Sequence, residues 1–113
     1  MSAKEDRADT TWTQFKQTVN MSARELEKWL QTEQSLKVGQ KRGKAEATGR
    51  ASGRRIVDIL RSKRADLSED DYAHMRKVVG YAKRHLAQRP RGDVADSAWR
   101  YSLMNWGHDP TRT

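Results

Sequence analysis

Three observations make this 113-residue chain an all-α protein, a small single-domain bundle of about five helices with a long basic, glycine-containing loop. Its four Trp, three Tyr and single Phe lie outside the basic segment at helical spacings, which argues for a real core. Serine followed three residues later by an acidic residue opens two of the apolar stripes, a capping signature of helix N-termini. No alternating segment rich in Val, Ile or Thr is present to make a strand.

Residues 1–9 carry charges of both signs and read as a flexible N-terminal tail, leaving 10–110 as the single helical domain. Thr10 or Thr11 can cap a first helix bearing Trp12, Phe15 and Val19 on one face and ending near Asn20. Ser22-Ala-Arg-Glu25 is a capping box for a second helix, with Leu26, Trp29 and Leu30 as its buried stripe. Residues of about 35–52 hold Gly39, Gly43 and Gly49 without clear periodicity and read as a basic flexible loop. From Ser52 to about Lys63, Ile56, Val57, Ile59 and Leu60 make a short basic amphipathic helix. Ser68, with Asp71 three residues on, opens the strongest helix, and Tyr72, Met75, Val79, Ala82 and Leu86 follow one face of it. Gly80 inside that helix costs about 1 kcal/mol relative to alanine, which predicts close packing against a neighbouring helix. Asp93 can cap a last helix carrying Trp99, Leu103 and Trp106, with Gly107 placed as a left-handed C-terminal residue.

The charge is unevenly placed. Of the net +8, ten Lys or Arg between Ser35 and Arg64 face only Glu46 and Asp58, while the remaining segments nearly cancel. Basic charge gathered on one segment and the helix behind it predicts an anionic partner. We expect a nucleic acid, duplex DNA before RNA, contacted chiefly at phosphates and with little sequence specificity, since no zinc-finger, RRM or KH signature is present. The expected contact residues are Lys37, Lys41, Arg42, Lys44, Arg50, Arg54, Arg55, Arg61, Lys63 and Arg64, with Arg76, Lys77, Lys83 and Arg84 as a second surface. The competing reading is a protein-interaction module whose basic segment recognises an acidic partner.

Other chemistries find no residues. With no cysteine there is no disulfide, zinc ribbon or thiol nucleophile, and a reducing, cytoplasmic setting is expected. No apolar run approaches the roughly 20 residues of a membrane span, so no membrane partner is expected. His74, His85 and His108 do not sit at metal-ligand spacing, and Gly39-Gln-Lys-Arg-Gly43-Lys44-Ala45 lacks both the spacing and the hydroxyl residue of a Walker A loop. No nucleophile elbow or carboxylate pair is visible. We expect neither enzymatic activity nor a cofactor or metal. The Trp99–Trp106 stripe has the composition of a base-stacking platform, but core packing is the commoner use of such a stripe.

Two resemblances complete the reading. Met21-Ser-Ala-Arg-Glu-Leu-Glu-Lys-Trp-Leu30 with Leu36-Lys-Val-Gly-Gln-Lys41 resembles the first helix and basic loop of a SAP-type helix-loop-helix, which implies DNA contact through the loop; here residues 42–52 intervene before the second helix. The segment from Asp70 to Pro90, followed by Trp99-Arg-Tyr-Ser-Leu-Met-Asn-Trp-Gly-His-Asp-Pro110, resembles domain-of-unknown-function family 3140. The Asn20-Met-Ser opening and Gly53-Arg-Arg-Ile-Val-Asp-Ile-Leu60 extend that resemblance over almost everything after residue 11. It implies at most a generic DNA-binding role and carries no functional residues across.

Overall fold

Ser22 and Ser68 start their helices by the same device. Each serine hydroxyl accepts the N–H three residues on (3.1 Å in both), and the acidic side chain there, Glu25 or Asp71, accepts the serine's own N–H at 3.0 or 2.9 Å. The computed structural model describes residues 3–40 and 44–112, with the backbone alone for 3–6, 39–40 and 44–48. Among the described residues there are six α-helices, one 3-10 turn at Arg64–Asp66 and no strand, as the all-α reading expects. The helices are α1 (Ala3–Thr18), α2 (Ala23–Leu30), α3 (Glu33–Gln40), α4 (Lys44–Arg61), α5 (Glu69–Leu86) and α6 (Ala98–Asn105).

Two segments depart from expectation. The supposed tail is helical from Ala3: once Phe15 docks, the helix extends backwards at one hydrogen bond per residue through Ala and Glu/Lys/Arg positions that favour it. Thr11 is therefore a buried helical residue and not a cap. The supposed loop at 35–52 is mostly two helices, α3 and the first half of α4; Lys41, Arg42 and Gly43 lie outside the described residues. Leu36–Gln40, a loop in the SAP-type resemblance, is the body of α3. Thr32 starts that helix, its hydroxyl accepting the Ser35 N–H at 3.2 Å. In α4 the glycines are compatible with a helix because they face its neighbours. A β-carbon on Gly53 would lie 2.5 Å from the Asn105 carbonyl and 2.9 Å from Leu30, and one on Gly49 would lie 3.2 Å from the Trp106 indole nitrogen. Gly49, Ser52, Gly53 and Ile56, at i, i+3, i+4 and i+7, are the buried face on which α2 and α6 close.

The main core joins α1, α2, α4 and α5, with Phe15, Leu26, Ile56, Ile59, Met75 and Val78 essentially inaccessible to solvent. A smaller cluster of Ala82, Val94, Trp99 and Leu103 lies beneath α6. Tyr81 links the two by stacking on Trp106, ring centroids 4.2 Å apart. Both Trp99 and Trp106 are buried, so the tryptophan stripe of α6 is core and not a stacking platform. Gly80 does not mark a helix crossing, because a β-carbon there would meet nothing but the Arg84 guanidinium. The cap of α6 is Ser97, whose hydroxyl accepts the Arg100 N–H, while Asp93 accepts the Ala95 N–H in a turn that precedes it.

A polar clasp closes the bundle. Trp106 ends α6, and Gly107, at φ +80°, completes a Schellman motif: its N–H donates to the Met104 carbonyl and the His108 N–H to the Leu103 carbonyl. The chain then runs against the α1–α2 junction. Asn20 Nδ2 donates to the Asp109 carbonyl (2.9 Å) and the Asp109 N–H returns to Asn20 Oδ1 (2.8 Å). His108 Nδ1 donates to the Thr18 carbonyl at 2.6 Å. The buried Asp109 carboxylate receives a two-armed contact from Arg100, 3.0 Å at each oxygen, and the Thr111 N–H and hydroxyl besides. Under α6, Asn105 Oδ1 accepts from the Trp29 indole (2.8 Å) and the Ser35 hydroxyl (2.5 Å), joining α2, α3 and α6.

Candidate nucleic-acid interface

Helix α4 carries its arginines around the margin of the face it buries, and Arg50, Arg55 and Arg61 each engage a neighbouring helix, whereas Arg54 engages none among the described residues. Arg50, half-buried, donates through Nη2 to the Leu30 carbonyl at 2.8 Å, and its Nε is buried with no partner among the described residues. Arg55 pairs with Asp71 of α5 at 3.3 Å, and Arg61 grips Glu27 of α2 with its two terminal nitrogens at 2.7 and 3.5 Å. Arg64, just past α4, pairs with Asp9, contacts the Tyr72 hydroxyl at 3.4 Å and lies 5.5 Å over the Trp12 ring. These three pairs tie α4 and the turn after it to α5, α2 and α1.

The carboxyls register the contacts. The Arg61 guanidinium hydrogen-bonded to Glu27 holds that carboxyl below its usual range. The Ser68 backbone N–H, then the Ser68 hydroxyl and Arg55, hold Asp71 low despite some burial. Next to them, His74 is pushed below the ordinary histidine value by burial and then by the charges of Arg55 and Lys77. Its Nε2 is 2.9 Å from the Ser52 hydroxyl, and its ring is parallel to that of Trp106.

Of the remaining expected contacts, Lys37 on α3, Arg54 on α4 and Lys63 are exposed and have no partner among the described residues. Arg50 and Arg54 line an open cleft of about 340 Å³ together with Glu27, Gln31 and Asp58, so its walls are of mixed sign. The structure describes the backbone of Lys44 at the start of α4 but not its side chain, and Lys41 and Arg42 fall outside the described residues. The expected set thus divides into residues engaged within the fold (Arg50, Arg55, Arg61 and Arg64) and exposed cations (Lys37, Arg54 and Lys63).

The second surface is different. Arg76, Lys77, Lys83 and Arg84 are all exposed on α5, and none has a hydrogen-bond or ion-pair partner among the described residues. Arg89 and Arg91 follow, also exposed, with Arg89 lying 5.3 Å over the Trp99 ring. Sequence reasoning gave this region little weight because a sum over 65–92 adds Asp66, Glu69, Asp70 and Asp71 to it. Those four acids all precede Tyr72, and no acidic residue follows until Asp93. The signal was available as that segregation within the segment.

Among the described residues no helix is long and apolar enough to cross a membrane, and no group of three or more His, Asp or Glu converges as a metal site. The fold defines a small all-α bundle, tied by surface ion pairs and closed by a polar clasp. Residues 14–104 match the protein family of unknown function DUF3140, and the chain belongs to that family. No curated protein and no solved structure shows significant similarity to it.

Proposed function

We propose that this protein binds nucleic acid, duplex DNA in preference to RNA, through phosphate contacts with little sequence specificity. The observation that carries the reading is the concentration of ten Lys or Arg against two acids between Ser35 and Arg64, where Lys37, Arg54 and Lys63 stand exposed and unpaired. Lys41, Arg42 and Lys44 belong to the same contact set. Arg55, Arg61 and Arg64 join it by exchanging a carboxylate for a phosphate, because an exposed ion pair is worth only about 0–1 kcal/mol and guanidinium suits either anion. Cytoplasmic residence and the absence of enzymatic activity belong to the same proposal.

Gel shift on a duplex at two salt concentrations tests it. If about five phosphates are neutralised, the slope of log affinity against log salt is about −4.5, and a fourfold rise in salt weakens binding roughly 500-fold. Micromolar or weaker binding that ignores salt would sink the proposal. A second reading is favoured by one observation: Arg55, Arg61 and Arg64 already hold carboxylates of their own chain, as they would those of an acidic protein partner. Poly-glutamate that displaces the duplex at equal charge concentration would support that reading over nucleic acid.

A further inference from the structure

Arg76, Lys77, Lys83 and Arg84 occupy corners of a quadrilateral on the outer face of α5. Residues seven apart lie almost in line along a helix, about 10.5 Å from each other, so Arg76 and Lys83 form one row and Lys77 and Arg84 the next. Gly80 sits at the centre of the figure, midway along both rows. No acid stands three or four residues from any of the four, so none has an intrahelical ion pair. Attraction of cations to the C-terminal end of a helix accounts for Lys83 and Arg84 in the last turn, but not for Arg76 and Lys77 in the middle. Gly80 itself is unexplained by packing. A β-carbon there would come 3.2 Å from Arg84 Nη1 and would meet no other side chain or neighbouring backbone within 4 Å.

We infer that this face of α5 is the principal phosphate-docking platform of the protein, with Gly80 as the flat seat that lets the Arg84 guanidinium lie along the helix and the polyanion backbone approach it. The inference rests on the nucleic-acid reading and relocates its centre from α4 to α5. Its physical basis is availability. Arg50, Arg55 and Arg61 of α4 must first release the Leu30 carbonyl, Asp71 or Glu27, which leaves Arg54 as the free arginine of that helix, whereas all four α5 cations are exposed and unpartnered among the described residues. Rows about 10.5 Å long span roughly three base steps of a duplex, at about 3.4 Å per step, so each row can reach separate phosphates of one strand.

Fluorescence anisotropy with a labelled 20-base-pair duplex of arbitrary sequence, on the full chain, tests this. Lys77→Ala with Arg84→Ala should weaken binding about tenfold and reduce the salt slope by about 2, since each lost phosphate contact removes about 0.9. Lys37→Ala with Arg54→Ala should have a smaller effect. Gly80→Ala should raise the melting temperature by about 4 °C, as expected for a glycine replaced inside a helix, and yet weaken binding several-fold. That opposition separates a docking seat from a merely tolerated glycine. Wild-type affinity in either the Lys77/Arg84 or the Gly80 variant, with the Lys37/Arg54 variant impaired, overturns the platform and leaves the nucleic-acid reading standing. Absence of salt-sensitive binding by the wild-type protein overturns both.

Discussion

Asp109 shows how much one side chain can organise. Burial pushes its carboxyl up, and the Arg100 guanidinium with the Thr111 N–H and hydroxyl outweigh that, leaving a pKa of about 2 against an ordinary 3.8. A carboxyl whose pKa is depressed on folding stabilises the native state above its unfolded pKa and stops doing so as pH falls through the folded one. The contribution here is about 2 kcal/mol, lost between roughly pH 4 and pH 2. Asp109→Asn should abolish that acid step and, by leaving Arg100 without its buried partner, cost about 3 kcal/mol at neutral pH. Urea midpoints measured across pH would show both effects, and an unchanged midpoint at pH 7 would mean the pair is idle. The Trp106-Gly-His-Asp-Pro110 signature of the sequence is accounted for in this way: Gly107 for its backbone turn, His108 and Asp109 for their grip on residues 18–20.

Among the helices, α4 separates what the sequence discloses from what it conceals. Capping boxes at Ser22 and Ser68 and the apolar stripes of α1, α2, α5 and α6 are local patterns, and they place most of the core residues; on α5 they include Leu86, which is exposed, and miss Val78, which is fully buried. Glycine, in contrast, has one letter and opposite uses. Gly49 reads as loop, and Gly53 falls at the edge of the expected helix, because an isolated helix is weakened by each, yet neighbouring helices fill the space their missing side chains leave. Their spacing of four, continued by Ser52 and Ile56, was the available clue. Gly53→Ala should therefore destabilise the protein by about 2 kcal/mol, because crowding against the Asn105 carbonyl exceeds the gain in helix propensity of about 1 kcal/mol. Thermal melts of Gly53→Ala and Gly80→Ala side by side should move in opposite directions; a stabilised Gly53 variant would contradict the packing described. The candidate interface was legible as charge but not as availability, since whether an arginine is free depends on which helix passes beside it, and Asp9, Glu27 and Asp71 are distant in sequence from the arginines they hold.

For the whole molecule, the ion pairs around α4 join separate helices but do so at the surface, with Arg61 and Glu27 each about half exposed, 50% and 49%. Such pairs contribute little. Arg61→Ala should lower stability only slightly, and the loss should shrink further in 1 M salt; a large loss in chemical denaturation that persists in high salt would show that these bridges are needed to position α4. Stability resides instead in the apolar junction of α1, α2, α4 and α5 and in the clasp. That division leaves the cationic exterior free to change partners while the interior stays fixed.

The clasp also sets a timetable for biosynthesis. Asn20 and Asp109 are 89 positions apart, and Trp106, which completes the main core, is slightly more remote from Phe15. At about 5–20 residues per second, a ribosome needs roughly 4–18 s to travel from the first partner to the second. Helices α4 and α5, which cover the apolar faces of α2 and α1, are made within that interval, whereas Trp106 and the clasp arrive only at its end. Closure of the bundle is thus the last step available to the growing chain, after all four helices of the main core have been made.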